Sequence, residues 1–321
     1  MTTLLRMLSS ETGLSHEDLQ RIIRTAPSRY KVFTIKKRAG GTREIAQPAR
    51  ELKVLQRVLI AKILDRLPIH EAATAYRRHR SIRDNASPHS GHGPILKMDF
   101  KDFFPSIRSE DWKFYCEKHE VLTSEDAAIS SLILFRRARG ERLLKLSIGA
   151  PSSPSLSNVL MYEFDEIVTK EAVRRGIAYT RYADDLTFSG QRIGMLRDMI
   201  HVVEKATHAL THPKLRVNDQ KTTFVTTKFR RTVTGVILTN DGLLSLGRDR
   251  KRKLSAQVHR ASLNQLSPEQ LQILAGYLAF ANVIEPTFLD RLARRYGADV
   301  VKTIQEAAQV PAPSGPVEDI D

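Results

Sequence analysis

The chain is nearly devoid of cysteine. Cys116 is the only one in 321 residues, which excludes a disulfide framework and a cysteine-ligated metal centre. It has no apolar run of 18 residues and no amino-terminal signal-type segment, so no membrane association is expected and a cytoplasmic protein is. There is no internal repeat. Acidic residues are under-represented: 36 Asp and Glu stand against 51 Lys and Arg, a formal charge of +15. The expected partner is a polyanion, with nucleic acid ahead of a membrane surface. Hydrophobic residues make up 41%, ordinary for a soluble globular protein, and the length suits two or three subdomains.

Against the acid deficit, two adjacent carboxylates stand out in Ala178–Gly190, AYTRYADDLTFSG. Asp184 and Asp185 lie between short runs of aromatic and β-branched residues, the pattern of a hairpin with a polar tip. Like charges at a tip repel, and a bound divalent cation with oxygen ligands removes that repulsion. An acidic turn is the plain alternative, since Asp is common in turns. The tetrapeptide Tyr182-Ala183-Asp184-Asp185 is more specific, arising by chance in roughly a few chains per thousand of this length.

A second acid ends an apolar run, Ile95-Leu96-Lys97-Met98-Asp99, which reads as a buried strand turning into a short helix through Pro105. Asp99 placed there suits metal binding, and Asp102 is assigned the plainer task of capping the turn. Upstream, Tyr30–Ile35 alternates as a strand and Glu44-Ile45-Ala46 begins its return, across a basic Gly-Gly turn. Lys36 and Arg43 flank that turn and suit a triphosphate, with Lys37 and Arg38 as neighbouring registers. Residues 2–25 read as helical, with a capping-box start at Ser15, and Glu51–Leu67 as a periodic helix ended by Pro68. The arginines Arg77, Arg78, Arg80 and Arg83 suit either a solvated face or a phosphate track. Helices are expected over Asp111–His119, Glu125–Arg137, from about residue 152 to Arg175, and over Ile193–Leu210. Arg231–Leu238 reads as one strand followed by a turn at Asn240-Asp241-Gly242. The carboxyl-terminal third reads as helical, opened by the basic run Arg248–Lys253, with helices starting at Ser267-Pro268-Glu269 and spanning Pro286–Tyr296. Residues 311–321 are Pro-rich and acidic, a disordered-tail composition.

Taken as an ordered set, these features resemble a reverse transcriptase, and more narrowly a bacterial retron reverse transcriptase, over most of residues 15–300. The set comprises the basic hairpin followed by Pro48 and Glu51-Leu52-Lys53, the Asp99–Phe104 stretch, Gly149-Ala150-Pro151-Ser152-Ser153-Pro154, and Tyr182-Ala183-Asp184-Asp185. Two elements point to the retron group: Asn85-Ala86-Ser87-Pro88-His89, matching its Asn-Ala-x-x-His, and Val233-Thr234-Gly235, matching its Val-Thr-Gly. One departure is Ser147-Ile148 where family members often carry Pro-Gln, which removes a glutamine from the primer–template contact.

The resemblance implies an α+β right-hand polymerase. Its parts are an amino-terminal helix and fingers over 1–94, a first palm strand over 95–112 and a fingers insertion over 113–148. The palm, an antiparallel sheet carrying the catalytic carboxylates, continues over 149–246; a helical thumb covers 247–310 and a tail 311–321. Asp99, Asp184 and Asp185 are implied as catalytic, with Asp99, Asp184, the backbone of Phe100 and, in support, Asp185 holding two Mg²⁺ ions. Lys36, Arg43, Phe104, Gly149 and Lys221 are assigned to the incoming dNTP, Phe104 as a gate against the ribose 2′-hydroxyl and Lys221 as proton donor to pyrophosphate. Asn85, His89, Val233, Thr234, Gly235, Arg248, Arg250, Lys251, Arg252 and Lys253 are assigned to RNA binding. The implied partners are a cognate structured noncoding RNA serving as template and primer, its branched DNA product, an accessory effector protein in antiphage defence, and a separate RNase H. A group II intron-like or diversity-generating reverse transcriptase, a catalytically silent RNA-binding scaffold and a palm-type nucleotidyl cyclase are the competing readings. The two retron elements, the retained aspartates and the long basic carboxyl-terminal third argue against them in turn.

Overall fold

Gly13 breaks the amino-terminal helical stretch in two. It ends α1 (Thr3–Thr12), and the Ser15 hydroxyl then accepts from the Asp18 amide to open α2 (His16–Thr25), as the capping pattern requires. The computed structural model describes residues 2–36 and 40–307. The alternative triphosphate registers Lys37 and Arg38 and the acidic tail lie outside the described residues. Strands β1 (Tyr30–Lys36) and β2 (Thr42–Pro48) form the expected antiparallel hairpin, and α3 (Arg50–Lys62) follows with one further helical turn over Leu64–Arg66.

After α4 (Ile82–Ala86) come β3 (Ile95–Asp99) and the short α5 (Phe103–Ser106). Asp102 stands at the start of α5 in left-handed backbone, φ +48°, and makes no capping hydrogen bond, so the capping role expected for it is not realised. Next are α6 (Ser109–Lys118), α7 (Ser124–Leu134) and the two-residue strands β4 (Arg136–Arg137) and β5 (Leu144–Lys145). The single helix expected to reach Arg175 is two, α8 (Ser152–Leu160) and α9 (Tyr162–Arg174). Strands β6 (Ala178–Tyr182) and β7 (Asp185–Ser189), helix α10 (Ile193–Ala209) and β8 (Thr223–Val225) follow.

The carboxyl-terminal part holds β9 (Arg231–Val233), β10 (Val236–Leu238) and β11 (Leu244–Ser245), then α11 (Arg248–Ser262), α12 (Pro268–Ile284), α13 (Pro286–Tyr296) and α14 (Ala298–Glu306). The strand expected over Arg231–Leu238 is thus a hairpin. Val233 pairs with Val236, leaving Thr234-Gly235 as a two-residue turn, with φ +46° and +79°. Positive φ at both positions is the turn whose twist matches the flanking strands, and glycine takes the second position without steric penalty.

The chain divides into two compact units. One comprises residues 1–81 and 92–226; the other joins 82–91 to 227–321. Residues 82–91 therefore belong with the carboxyl-terminal helices, as do 227–246. In the first unit an antiparallel sheet runs in the order β6-β7-β3-β8. Its central strands β7 and β3 are apolar on one face, where helices pack beside the sheet, while Lys97, Asp99, Asp185 and Thr187 alternate onto the other. Leu96, Met98, Leu186 and Phe188 from the sheet meet Phe164, Val168, Leu196, Met199 and Val203 from the helices. Each such side chain contributes roughly 1.5–3 kcal/mol on burial. In the second unit α11–α14 pack together through Leu254, Val258, Leu274, Leu278, Phe288, Leu292 and Ile304.

Candidate active site

The alternation of strand residues decides which acids meet. Asp99 ends β3 and Asp185 begins β7, and the two are cross-strand partners in the antiparallel register. The Phe100 amide donates to the Asp184 carbonyl, 3.2 Å, closing the strand ends around the turn. Asp99, Asp184, Phe100 and Phe104 line an open cleft of about 550 Å³. Its other lining residues include Thr42, Arg43 and Glu44 from β2, Tyr76, Arg136, Lys145 and Ile148.

The electrostatics follow from crowding three carboxylates at one end of the central strands. Burial raises Asp184 above the ordinary carboxylate range, and the Asp99 charge raises it further. Asp185 is pushed up to about 6, first by burial and then by Asp184 and Asp99. A cation is therefore favoured here. In the structure one protein cation answers: Lys221 Nζ donates to Asp99 Oδ2 at 2.8 Å, and this hydrogen bond is the main reason its ammonium is held above the ordinary lysine range. Asn218 Nδ2 donates to the same carboxylate at 3.2 Å, and the Asn218 amide to the Asp99 carbonyl at 2.7 Å.

Among the described residues, no three acidic, histidine or cysteine side chains converge tightly enough to cage a metal by themselves. The donor chemistry nonetheless fits a hard divalent cation. Mg²⁺ is typically held by only one or two carboxylates together with substrate phosphates, rather than by an all-protein cage. Mutually repelling carboxylates with a lysine ammonium on one of them are a site built for positive charge.

The remaining expected site residues divide clearly. Arg43, Phe104 and Lys221 all line the cleft, Lys221 while bonded to Asp99. Lys36 ends β1, exposed, beside its cross-strand partner Thr42, and does not itself line the cleft. Gly149 allows a close backbone approach. Its φ is +113°, and a Cβ there would meet Ile45 Cγ2 at 3.0 Å and the Ala46 carbonyl at 3.1 Å. That close approach lets the Ala46 amide donate to the Ile148 carbonyl at 2.8 Å, joining the β1–β2 hairpin to the start of α8.

A second structure near the carboxylates was not anticipated. Arg181, inside β6, is fully buried with Asp165 of α9. Its Nε donates to Asp165 Oδ1 at 2.9 Å and its Nη2 to Oδ2 at 2.7 Å, while Tyr179 Oη donates to Oδ1 at 2.8 Å. The other guanidinium nitrogen donates to Asn158 Oδ1, 3.1 Å, and to the Ala183 carbonyl, 3.0 Å. Ala183 is in left-handed backbone, φ +58°, so this hydrogen bond holds the strained turn that presents Asp184 and Asp185. The signal in the sequence was an arginine in the middle of an apolar strand.

The residues assigned to RNA all lie in the second unit, and they separate by burial. Asn85, His89 and Val233 are buried. Asn85 Nδ2 donates to Thr234 Oγ1 at 3.3 Å, joining the Asn-Ala-x-x-His and Val-Thr-Gly elements, which are far apart in sequence. Gly235 is exposed at the turn. Lys251 is engaged with Glu285, 3.0 Å, and with Ser245. Arg248, Arg250, Arg252 and Lys253 are exposed along the first turns of α11.

Comparison with known proteins agrees with this geometry. A family model described as Reverse transcriptase (RNA-dependent DNA polymerase) matches residues 35–253. The chain is similar to the retron Ec83 reverse transcriptase of Escherichia coli, 35% identical over 299 residues, covering 92% of this chain and 96% of that protein. It is also similar to the retron Ec86 reverse transcriptase of Escherichia coli, 32% identical with 90% and 89% covered, and to the retron Mx65 reverse transcriptase of Myxococcus xanthus, 33% identical with 83% and 64% covered.

Proposed function

This chain belongs to the reverse transcriptase family, in its retron group, and is an RNA-directed DNA polymerase; from that premise we propose that it copies a structured noncoding RNA into single-stranded DNA that stays linked to the RNA through a 2′-hydroxyl branch. The observation that carries the polymerase site is the pairing of Asp99 with Asp185 across β3 and β7, with Asp184 beside them, on a cleft that also holds Arg43 and Phe104.

The residues divide the work of phosphoryl transfer, in which positioning and charge stabilisation dominate. Two Mg²⁺ ions held by Asp99, Asp184 and the Phe100 carbonyl, with Asp185 in support, would supply activation of the attacking hydroxyl and neutralisation of the leaving pyrophosphate. Arg43 reaches the cleft from β2 and pairs with phosphate oxygens through its planar fork. Phe104 fills the space beside the sugar and excludes a 2′-hydroxyl. Lys221 keeps its proton because Asp99 holds the ammonium, and that proton is available to the departing pyrophosphate.

RNA choice is assigned to the second unit. Arg248, Arg250, Arg252 and Lys253 offer phosphate contacts, while Asn85, bonded to Thr234, and Val233, paired with Val236, hold the Thr234-Gly235 turn from inside, and His89 is buried in the same unit. We further assign the protein to the cytoplasm and to antiphage defence with an accessory effector protein, a separate RNase H removing template RNA.

The test combines purified protein, RNA transcribed from DNA flanking its gene, and dNTPs. The expected product migrates as RNA-linked DNA and is released as linear DNA by an enzyme that cleaves 2′–5′ branches. DNA synthesis without a debranchable product would remove the 2′-priming proposal. Absence of synthesis on any RNA template would remove the polymerase reading.

A further inference from the structure

The loop before the second unit's first segment presents an aromatic ring to the cleft in a way that a plain surface loop would not. Ala72, Ala73, Thr74 and Ala75 are all buried, and their backbone is tied to β6 and α8. The Arg181 amide donates to the Ala72 carbonyl at 2.7 Å, the Thr74 amide to the Arg181 carbonyl at 2.9 Å, and Asn158 Nδ2 to the Ala75 carbonyl at 2.8 Å. From the far side, Arg77 Nη1 donates to the His70 and Ala73 carbonyls, each at 3.2 Å. Between these ties the chain turns sharply at Tyr76, which has φ +60° and is 50% exposed.

A left-handed conformation is unfavourable for a bulky residue and easy for glycine or asparagine, so a tyrosine held there signals a demand on its ring rather than on its backbone. Tyr76 lines the cleft with Asp184, Arg43 and Phe104, and its ring centroid is 6.4 Å from the ring of Tyr182, the residue two before Asp184. A neutral aromatic face offers nothing to a triphosphate, for which Arg43 is available in the same cleft. It offers stacking and edge contact to bases. The hydroxyl that attacks must lie at Asp184 and Asp185, so the nucleotides just behind it lie against Tyr182 and its neighbour.

We propose that Tyr76, rigidly mounted on the Ala72–Ala75 ribbon and paired with Tyr182, is a packing surface for the terminal base pair of the RNA–DNA primer–template duplex. This rests on the polymerase reading of the cleft. Tyr76 is a binding residue for the duplex, and its ring, not its hydroxyl, does the binding.

The test measures affinity for a fluorescently labelled RNA–DNA duplex without dNTP, with 2-aminopurine in the template strand of the terminal pair. Tyr76→Gly removes the ring and relieves the backbone; Tyr76→Leu keeps an apolar side chain and the backbone demand but lacks the aromatic face. Loss of one base–aromatic contact should weaken binding roughly 5- to 150-fold in both variants. The 2-aminopurine quenching seen with the unmodified protein should be lost, and the thermal midpoint of Tyr76→Gly should be equal or higher. Binding of either variant within about twofold of the unmodified protein would overturn the proposal. If Tyr76→Gly proves less stable, Tyr76→Leu decides alone. An unmodified protein that binds the duplex but never extends it would instead sink the polymerase reading, so the two failures are distinguishable.

Discussion

At the scale of single residues, the proposed catalytic centre rests on charge. Asp184→Asn keeps the shape of the side chain and the Phe100 hydrogen bond, which uses the Asp184 backbone. It removes one full negative charge from the site. Primer extension should fall by at least ~10²-fold, the effect typical of losing one preorganised electrostatic contact, with RNA binding retained. Full extension by this variant would refute the assignment of Asp184. Phe104→Ala tests the other function of the cleft. Opening space beside the sugar should raise ribonucleotide incorporation relative to deoxyribonucleotide by about 10- to 200-fold, the range of a steric pocket difference. If discrimination responds to Phe103→Ala instead, the gate lies one position earlier. Phe103 is buried against Phe100 and Phe104, so a core role is expected for it. Cys116 is also buried, and burial pushes its thiol up to about 12. The reactive species is the thiolate, so at pH 8 the native protein should not react with a disulfide reagent, and one thiol per chain should appear on denaturation. Its folded value lies above the unfolded one. The associated stability is therefore present below about pH 9 and is lost as pH rises toward 12. Prompt labelling at pH 8 would show that the helix carrying it opens.

At the scale of elements, the buried pair Arg181–Asp165 ties β6, α8 and α9 to the turn carrying the carboxylates. Removing one member leaves the other charged and unpaired in the interior. Asp165→Asn should therefore cost about 3–5 kcal/mol of stability, read as a shift in the denaturant midpoint. Replacing both, with Arg181→Met and Asp165→Leu, removes the uncompensated charge and should recover part of that loss, the remainder being the buried Tyr179 Oη and Asn158 Oδ1 left without their partners. The double variant should still extend primers slowly, because nothing then donates to the Ala183 carbonyl. Normal polymerisation by a stable double variant would show that the turn holds its shape unaided. The β9–β10 hairpin follows the same logic more simply. Thr234-Gly235 makes the turn, and Asn85 from another part of the chain holds Thr234.

At the scale of the whole molecule, the formal charge of +15 sets how the protein meets RNA before any specific contact forms. Each phosphate neutralised releases counterions, so affinity for an unrelated RNA should fall linearly with salt on logarithmic axes. For about six contacted phosphates the loss between 50 and 200 mM salt is ~10²–10³-fold. The cognate RNA should keep a preference that salt does not erase, because shape, stacked bases and 2′-hydroxyls supply it. Equal salt sensitivity with no residual preference would mean that this protein selects its RNA by charge alone.

The sequence by itself determined the local elements and the chemistry. Strand residues around Asp99 and Asp184–Asp185, a capped helix at Ser15, a basic hairpin and an ordered set of motifs were legible because each depends on near neighbours: alternation, caps and turn residues act over a few positions. The family followed from the same ordered motifs. The tertiary structure decided what pairs with what. That Asp99 faces Asp185, that Lys221 occupies the Asp99 carboxylate, and that Asn85 reaches Thr234 are contacts between segments far apart in the chain, which no local period encodes. It also decided burial. Lys36 and Arg43 read alike as basic residues flanking a turn, yet only Arg43 lines the cleft. Gly149 reads as room for a ligand or for backbone, and β2 approaches it closely. Asn85 and His89, assigned to RNA binding by resemblance, are inside. Tyr76 carried no signal at all, since the backbone that aims its ring is bent by ties to β6 and α8 that exist only once the chain is folded.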